Sequence, residues 1–269
     1  MQFETVIFEK DRNIAILRLH RPERMNAVIE QMYIDINSVL DIVEKDDDIR
    51  VMILTGCVWK REKGDKQAFC AGADLKKHSA GDRTPFEKRE YIFLAHNTTK
   101  RIYEFSKPII AAVNGPARGA GTEMALNCDF LIMADEATIG FPETSLGTFI
   151  GGGVTYHLSQ IVGMQKAKEL VYTGKILNGK EAVEFGLAYK SFPITSFMDN
   201  VISFAETLAD KAPLSMKFAK KLLQKAPHLD IDTVITLEAE AILACMTTED
   251  WHEGIKAFLE KRKPVYKGK

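Results

Sequence analysis

Two glutamates in this 269-residue chain sit where a carboxylate is hard to accommodate. Glu123 and Glu143 lie within GPARGAGTEMALNCDFLIMADEATIGFPETSLGTFIGGG, residues 115–153, where most neighbours are apolar or glycine. A carboxylate leaving water for such surroundings costs free energy unless it is paired or protonated. If the chain folds back between them, both carboxyls can face one cavity. Each then raises the other's pKa, and one can serve as acid while the other serves as base. The alternative for either is a structural role, capping a helix or pairing with an arginine.

The elements that would position them can be read from the same stretch. Gly-Ala-Gly at 119–121 precedes a run of helix formers, which predicts a helix N-terminus near Ala120 with its free amides pointing outward. Such an end attracts negative charge. DFLIMAD is a short apolar run between polar residues, as expected of a buried strand. Asp135 and Glu136 offer a turn, and Pro142 fixes the backbone just before Glu143. Upstream, FCAGADLKK at 69–77 closes a polar loop that follows the buried strand VMILTG (51–56). Its small residues at 71–73 let backbone amides approach a ligand, although a plain tight turn would use the same residues. Two amides converging on one oxygen form an oxyanion hole, worth roughly 3 kcal/mol per donor in other enzymes.

The remaining pattern is α/β, with parallel strands. Residues 3–8 and 14–19 predict a strand pair around a polar turn at Lys10–Asn13. From Val28 to Val43 apolar residues recur every three or four positions, an amphipathic helix. Further helix spans roughly 86–105, and PIIAAVNG at 108–115 is another buried strand. After about residue 195 the character changes to helices at 197–211, 214–226, 232–246 and 249–262, with Pro213 and Pro227 as breaks. Their broad apolar faces must cover the core or form an oligomer interface. The expected division is a core at 1–195 and a helical region at 196–269.

Composition narrows the function classes. The chain is 46% hydrophobic and 27% charged, with a net charge of −1. That balance speaks against a dedicated nucleic-acid binder, as does the lack of interleaved basic and aromatic residues. No GxGxxG after a strand, GxxxxGK[ST], GxSxG or HExxH is present. Cys57, Cys70, Cys128 and Cys245 lack metal-ligand spacing, so no metal is expected and a reducing compartment fits. The N-terminal residues show no secretory signal, and a cytoplasmic protein is expected. His157, after the glycine run, could approach the cavity or be structural. The basic run in FLEKRKPVYKGK reads as a solvated tail, with contact to a phosphate-bearing ligand as the sharper alternative.

These pieces, in order and spacing, resemble the crotonase, or enoyl-CoA hydratase/isomerase, superfamily. The likeness rests on RPERMNA at 21–27, the FCAGADLK loop, KPIIAAVNGPARGAGTEMAL, FPETSLG and the terminal AFLEKRKPVYKG. It implies a spiral of ββα turns followed by a helical region that forms a homotrimer, commonly a dimer of trimers. It implies an acyl-CoA thioester substrate, with coenzyme A part of the substrate and no other cofactor. By resemblance, the amides of Ala73 and Ala120 hold the thioester oxygen. Glu123 activates water for attack at the β-carbon, and Glu143 delivers a proton to the α-carbon. Coenzyme A lies along Arg24, Ala27 and the loop carrying Ala71, Asp74, Leu75 and Lys76, near Gly121. Phe258 and Lys261 look like C-terminal contacts to it that often reach a neighbouring subunit. Retention of both glutamates favours hydration over double-bond isomerisation, the runner-up. An RNA-binding member of the superfamily is the reading from another class.

Overall fold

The computed structural model describes residues 2–79 and 83–269. β1 (Val6–Asp11) and β2 (Ile14–Leu19) form an antiparallel pair. The strand is shifted from the predicted 3–8, and it runs on to Asp11 because Arg12 adopts a left-handed conformation (φ 52°). That closes a two-residue turn and keeps Glu9–Asp11 in the ladder opposite Ile16–Ile14. α1 (Glu30–Lys45) leads to β3 (Val51–Gly56), which pairs parallel to β2. The short α2 (Leu75–Ser79) and the long α3 (Pro85–Glu104) follow, then β4 (Ile109–Val113). α3 starts at a capping box, in which Thr84 and Glu87 each satisfy the other's backbone amide.

β5 (Ala117–Arg118), α4 (Ala120–Leu126), β6 (Phe130–Ala134) and β7 (Thr138–Gly140) come next. α5 (Val154–Val162), α6 (Met164–Thr173), β8 (Leu177–Asn178), α7 (Gly179–Phe185) and β9 (Lys190–Phe192) complete the sheet region. The main sheet runs β1-β2-β3-β4-β6-β9, and all its pairings after β1–β2 are parallel. A second sheet runs β5-β7-β8, and Cys70 extends it by a parallel bridge to Ala117. The chain therefore repeats one move: β3 to Cys70 to α3, β4 to β5 to α4, β6 to β7 to α5. Each turn contributes one strand to each sheet and a helix, a spiral of ββα turns.

Unlike the partly exposed edge strands β1 and β9, the central strands of the main sheet are buried on both faces, with every residue of β3 and β4 buried. Their uninterrupted Val/Ile/Leu/Ala runs follow from that. α8 (Phe197–Ala209) packs on the sheet through Phe197, Val201 and Ala205, touching β2, β3, β4, β6 and β9. α9 (Pro213–Lys225) is fastened by a partly buried ion pair, Lys220 Nζ to Asp129 Oδ2 at 2.8 Å, and the same amine donates to the Lys107 carbonyl. α10 (Ile231–Met246) packs on α9, and α11 (Glu249–Glu260) on α10. Ala241 is the only buried residue of α10. Among the described residues no helix is long and apolar enough to cross a membrane.

Candidate active site

The carboxyl ends of β3 and β4 open into a cavity of about 650 Å³. Glu123 and Glu143 both line it. Glu123 sits in the first turn of α4, after Gly119 (φ 48°), and its amide donates to the Gly119 carbonyl at 2.9 Å. Its Oε1 accepts from the Gly151 amide at 2.7 Å. Asn127 ties the end of the same helix to that glycine run, donating to the Glu123 and Gly152 carbonyls. Burial pushes the Glu123 carboxyl above the ordinary carboxylate range, and the Gly151 bond partly offsets it.

Glu143 follows Pro142 and opens a short 3₁₀ turn, Glu143–Leu146. Its Oε1 lies against Gly119, where an added Cβ would stand 2.8 Å from it. With a positive φ as well, only glycine fits at 119 without strain. Glu143 Oε2 is buried with no hydrogen-bond partner among the described residues. Desolvation raises its pKa, its own backbone amide pulls against that rise, and the charge of Glu123 adds to it. The two carboxyls thus differ: Glu123 is anchored by the amide of Gly151, while Glu143 keeps a buried oxygen without a partner among the described residues. The difference favours ionising Glu123 and keeping the proton on Glu143.

The amides of Ala73 and Ala120 border the same cavity. Neither has a backbone acceptor among the described residues. Ala120 begins α4, where helix geometry leaves the amide free. The Ala73 amide is free because its neighbours are held instead: Val28 donates to the Gly72 carbonyl, and the Asp74 amide donates to the Val28 carbonyl.

The segment that holds them is RPERMNA. Met25 and Asn26 both take left-handed conformations, φ 53° and 54°. Asn26 is fully buried; its side chain donates to the Cys57 and Ala68 carbonyls and accepts from the Arg21 amide. Arg21 donates to the Ala27 carbonyl and pairs with Asp74 at 3.0 Å. Burial alone would raise the Asp74 carboxyl, but Arg21, the Lys77 amide and nearby Arg24 hold it below the ordinary range. Arg21 and Asn26 are absent from the sequence-based site. No sequence pattern marked them: the left-handed conformation and the burial that let Asn26 tie the loops together appear only in the fold.

Of the residues expected at the site, Ala71, Ala73, Leu75, Ala120, Glu123 and Glu143 line the cavity. Arg24, Ala27, Asp74, Lys76 and Gly121 do not. Arg24 is exposed on the 3₁₀ turn Pro22–Arg24, Ala27 is buried, and Asp74 serves the clasp just described. Gly121 meets the chain rather than the cavity: a Cβ there would stand 2.4 Å from the Cys70 carbonyl oxygen. Phe258 is 82% exposed on α11, and Lys261 ends that helix in a left-handed conformation, so neither lies in this cavity. His157 faces a separate cavity, against the Tyr103 ring at 4.4 Å.

The cavity also gathers residues that sequence reading did not select. Tyr33 from α1 and Tyr91, Ile92, Ala95 and His96 from α3 form one wall; Leu146, Phe149 and Ile150 form another. The mouth is apolar, with Phe149 73% exposed. A carboxylic acid, a carboxylate and two unbonded amides around an apolar-walled cavity can hold a carbonyl oxygen and move one proton on each side of it.

The family model for enoyl-CoA hydratase/isomerase matches residues 9–269. The chain is 34% identical over 263 residues to a short-chain-enoyl-CoA hydratase of Clostridium acetobutylicum, covering 98% of this chain and 97% of that protein. It is 36% identical over 263 residues to a crotonyl-CoA hydratase of Syntrophomonas wolfei, covering 98% of each. Among solved structures, an enoyl-CoA hydratase from Bacillus anthracis superposes with a TM-score of 0.92 at 32% identity, covering 99% of this chain and 100% of that one. The two-sheet ββα spiral is thus the crotonase-like fold, and the chain belongs to the enoyl-CoA hydratase/isomerase family.

Proposed function

We propose that the protein adds water reversibly across the α,β double bond of an enoyl-CoA thioester. The observation that carries this reading is the pair of unlike carboxyls, Glu123 bonded to an amide and Glu143 with a bare buried oxygen, beside the free amides of Ala73 and Ala120. The thioester oxygen sits between the two amides. As Glu123 takes a proton from water, the water oxygen bonds to the β-carbon and the double-bond electrons shift toward the thioester. The enolate-like charge that develops falls on the oxygen facing the α4 N-terminus, where it is stabilised most. Glu143 then gives its proton to the α-carbon. The cycle ends proton-neutral overall and calls for no metal or redox cofactor.

Coenzyme A runs out of the cavity past Arg24, Ala27 and the Ala71–Lys76 loop in this reading. We further propose a homotrimer, alone or doubled, in which α10 and α11 are covered by a neighbouring copy. Ile231, Ile242, Leu243 and Phe258 are each more than half exposed on those helices. In that assembly Phe258 and Lys261 touch the coenzyme A of the adjacent subunit.

The test is incubation with short-chain and cyclic enoyl-CoAs and mass analysis of the products. A gain of one water, lost in Glu123→Gln and Glu143→Gln, supports hydration. An isomer of unchanged mass replaces this reading with double-bond isomerisation. Light scattering of the purified protein reports whether the trimer forms.

A further inference from the structure

At the amino ends of the same strands, opposite the glutamates, lies a second cavity of about 260 Å³. It is bordered by Arg50 before β3, Lys107 before β4, the α8–α9 junction and the last three residues of the chain. β3 alone separates the two ends by roughly 17 Å, so this is not the acyl cavity seen from another side.

The charge here is lopsided. Arg50, Lys107, Lys211, Lys217, Lys267 and Lys269 border the cavity, against the side-chain carboxylates of Glu44 and Asp47 and the α-carboxylate of Lys269. The chain as a whole carries a net charge of −1, so a cationic cluster of this size is local. Several of these charges have no carboxylate to neutralise them. Arg50 donates to two backbone carbonyls, Ala209 at 3.2 Å and Tyr266, and its Nε is buried without an acceptor. Lys107 donates to the carbonyls of Val43 and Asp46; burial lowers its pKa, and the charges of Glu44, Asp46 and Asp47 act against that. Lys211, Lys217 and Lys269 make no ion pair among the described residues, whereas Lys267 has Glu249 at 3.7 Å.

One wall adds to the same field. The first turn of α9 borders the cavity through Pro213, Leu214, Met216 and Lys217. That helix has no side-chain cap and no acidic residue in its first turn. Its first intrahelical bond runs from the Met216 amide to the Ala212 carbonyl, which leaves the Leu214 and Ser215 amides ahead of it. A 13-residue helix presents positive potential at this end. Cations from four parts of the chain and an uncapped helix end converge on one small concavity, and the proposed hydration uses none of them.

We propose that this cavity is a binding site for a compact phosphate anion, of the size of inorganic pyrophosphate or the phosphate end of a larger ligand. Bound there, the anion joins the C-terminal segment to the α8–α9 junction and to the start of β3. The inference is independent of the hydration chemistry, because it is read by binding and needs no turnover.

Inorganic pyrophosphate titrated into the intact protein at low salt, followed by calorimetry and thermal melting, tests it. The expected result is saturable binding, one anion per chain, with a rise in Tm. Lys211→Glu/Lys217→Glu weakens that binding by more than about tenfold and leaves acyl-CoA turnover unchanged. The neutral single variants Lys211→Met and Lys217→Met show intermediate losses, which keeps the test decisive if the double variant fails to fold. Absence of saturable binding, or binding unchanged in these variants, overturns the proposal. So does competition by free coenzyme A that survives in the variants, which would put pyrophosphate in the acyl-CoA groove. Vesicles containing phosphatidic acid form a separate arm: binding to them without binding to pyrophosphate would mean a membrane surface, and the small-ligand site is then wrong.

Discussion

Glu123 and Glu143 share a cavity yet differ in one hydrogen bond, and that difference can be read in pH profiles. In the proposed cycle Glu123 must be ionised and Glu143 protonated, so hydration falls at both ends of the pH range. Because burial raises both carboxyls, both limbs lie above the ordinary carboxylate range. Replacing either residue with Gln is expected to lower kcat by about 10²–10⁴-fold. The alkaline limb disappears from the residual rate of Glu143→Gln while the acid limb stays, as kcat/KM against pH would show. Stability moves the other way. A carboxyl whose pKa is raised on folding contributes its full stability below its unfolded pKa. That contribution is lost as pH rises through the folded value. At neutral pH Glu143 is therefore a burden on the fold, and Glu143→Gln is expected to melt at a higher temperature than the parent protein. A melting curve that drops, or does not move, contradicts the buried carboxyl with an unpartnered oxygen described here.

At the scale of elements, the site is assembled by a clasp. RPERMNA holds the 71–74 loop through Asn26, Arg21 and the Val28–Gly72 bond, so that the Ala73 amide stays free. Asn26→Ala removes three buried hydrogen bonds and leaves the Ala68 carbonyl without that donor. The cost expected is about 1–3 kcal/mol, by denaturant titration, and kcat should fall more than KM rises. The other helix and strand assignments were legible because their apolar patterns are unambiguous: β2, β3, α3 and the C-terminal helices begin and end within about two residues of the sequence expectation, and α4 begins at the expected Ala120. The clasp was not legible as such. Its logic lies in two left-handed residues and one side chain reaching the Cys57 and Ala68 carbonyls, more than thirty residues away in sequence, and no local periodicity encodes that. The end of β1 was misread for a similar reason, since a left-handed Arg12 lets exposed, charged Glu9–Asp11 pair as strand. Helices α5 to α7 went unassigned between glycines, short and with few buried positions.

For the whole molecule, the question is what fastens the helical region to the sheets. α8 does so by burial, and α9 by Lys220, whose buried amine meets the partly exposed carboxylate of Asp129. Burial raises the Asp129 carboxyl, and Lys220 and the Ile109 amide pull against that rise. Lys220→Met leaves a partly buried carboxylate without its cation and is expected to cost about 1–3 kcal/mol, measured by chemical denaturation. Lys220→Met combined with Asp129→Leu should recover most of that loss. The pair was invisible in the sequence because 91 residues separate its members. The overall spiral was legible only through the resemblance. Strand runs alone imply a parallel sheet, whereas the second sheet is built from strands of two or three residues and one bridge at Cys70.

The donors proposed to hold the substrate oxygen at Ala73 and Ala120 are main-chain atoms, and this changes how the protein would respond to mutational scanning. A scan that exchanges side chains cannot delete an amide. Ala73→Ser and Ala120→Ser keep the donors, so substitutions at these positions report on crowding and leave the oxyanion contribution unmeasured. Only an amide-to-ester exchange in the backbone, made by semisynthesis, subtracts the hydrogen bond itself. The positions closest to the developing charge could therefore look tolerant in a variant library, while distant Asn26, which sets where the Ala73 amide stands, would score as indispensable.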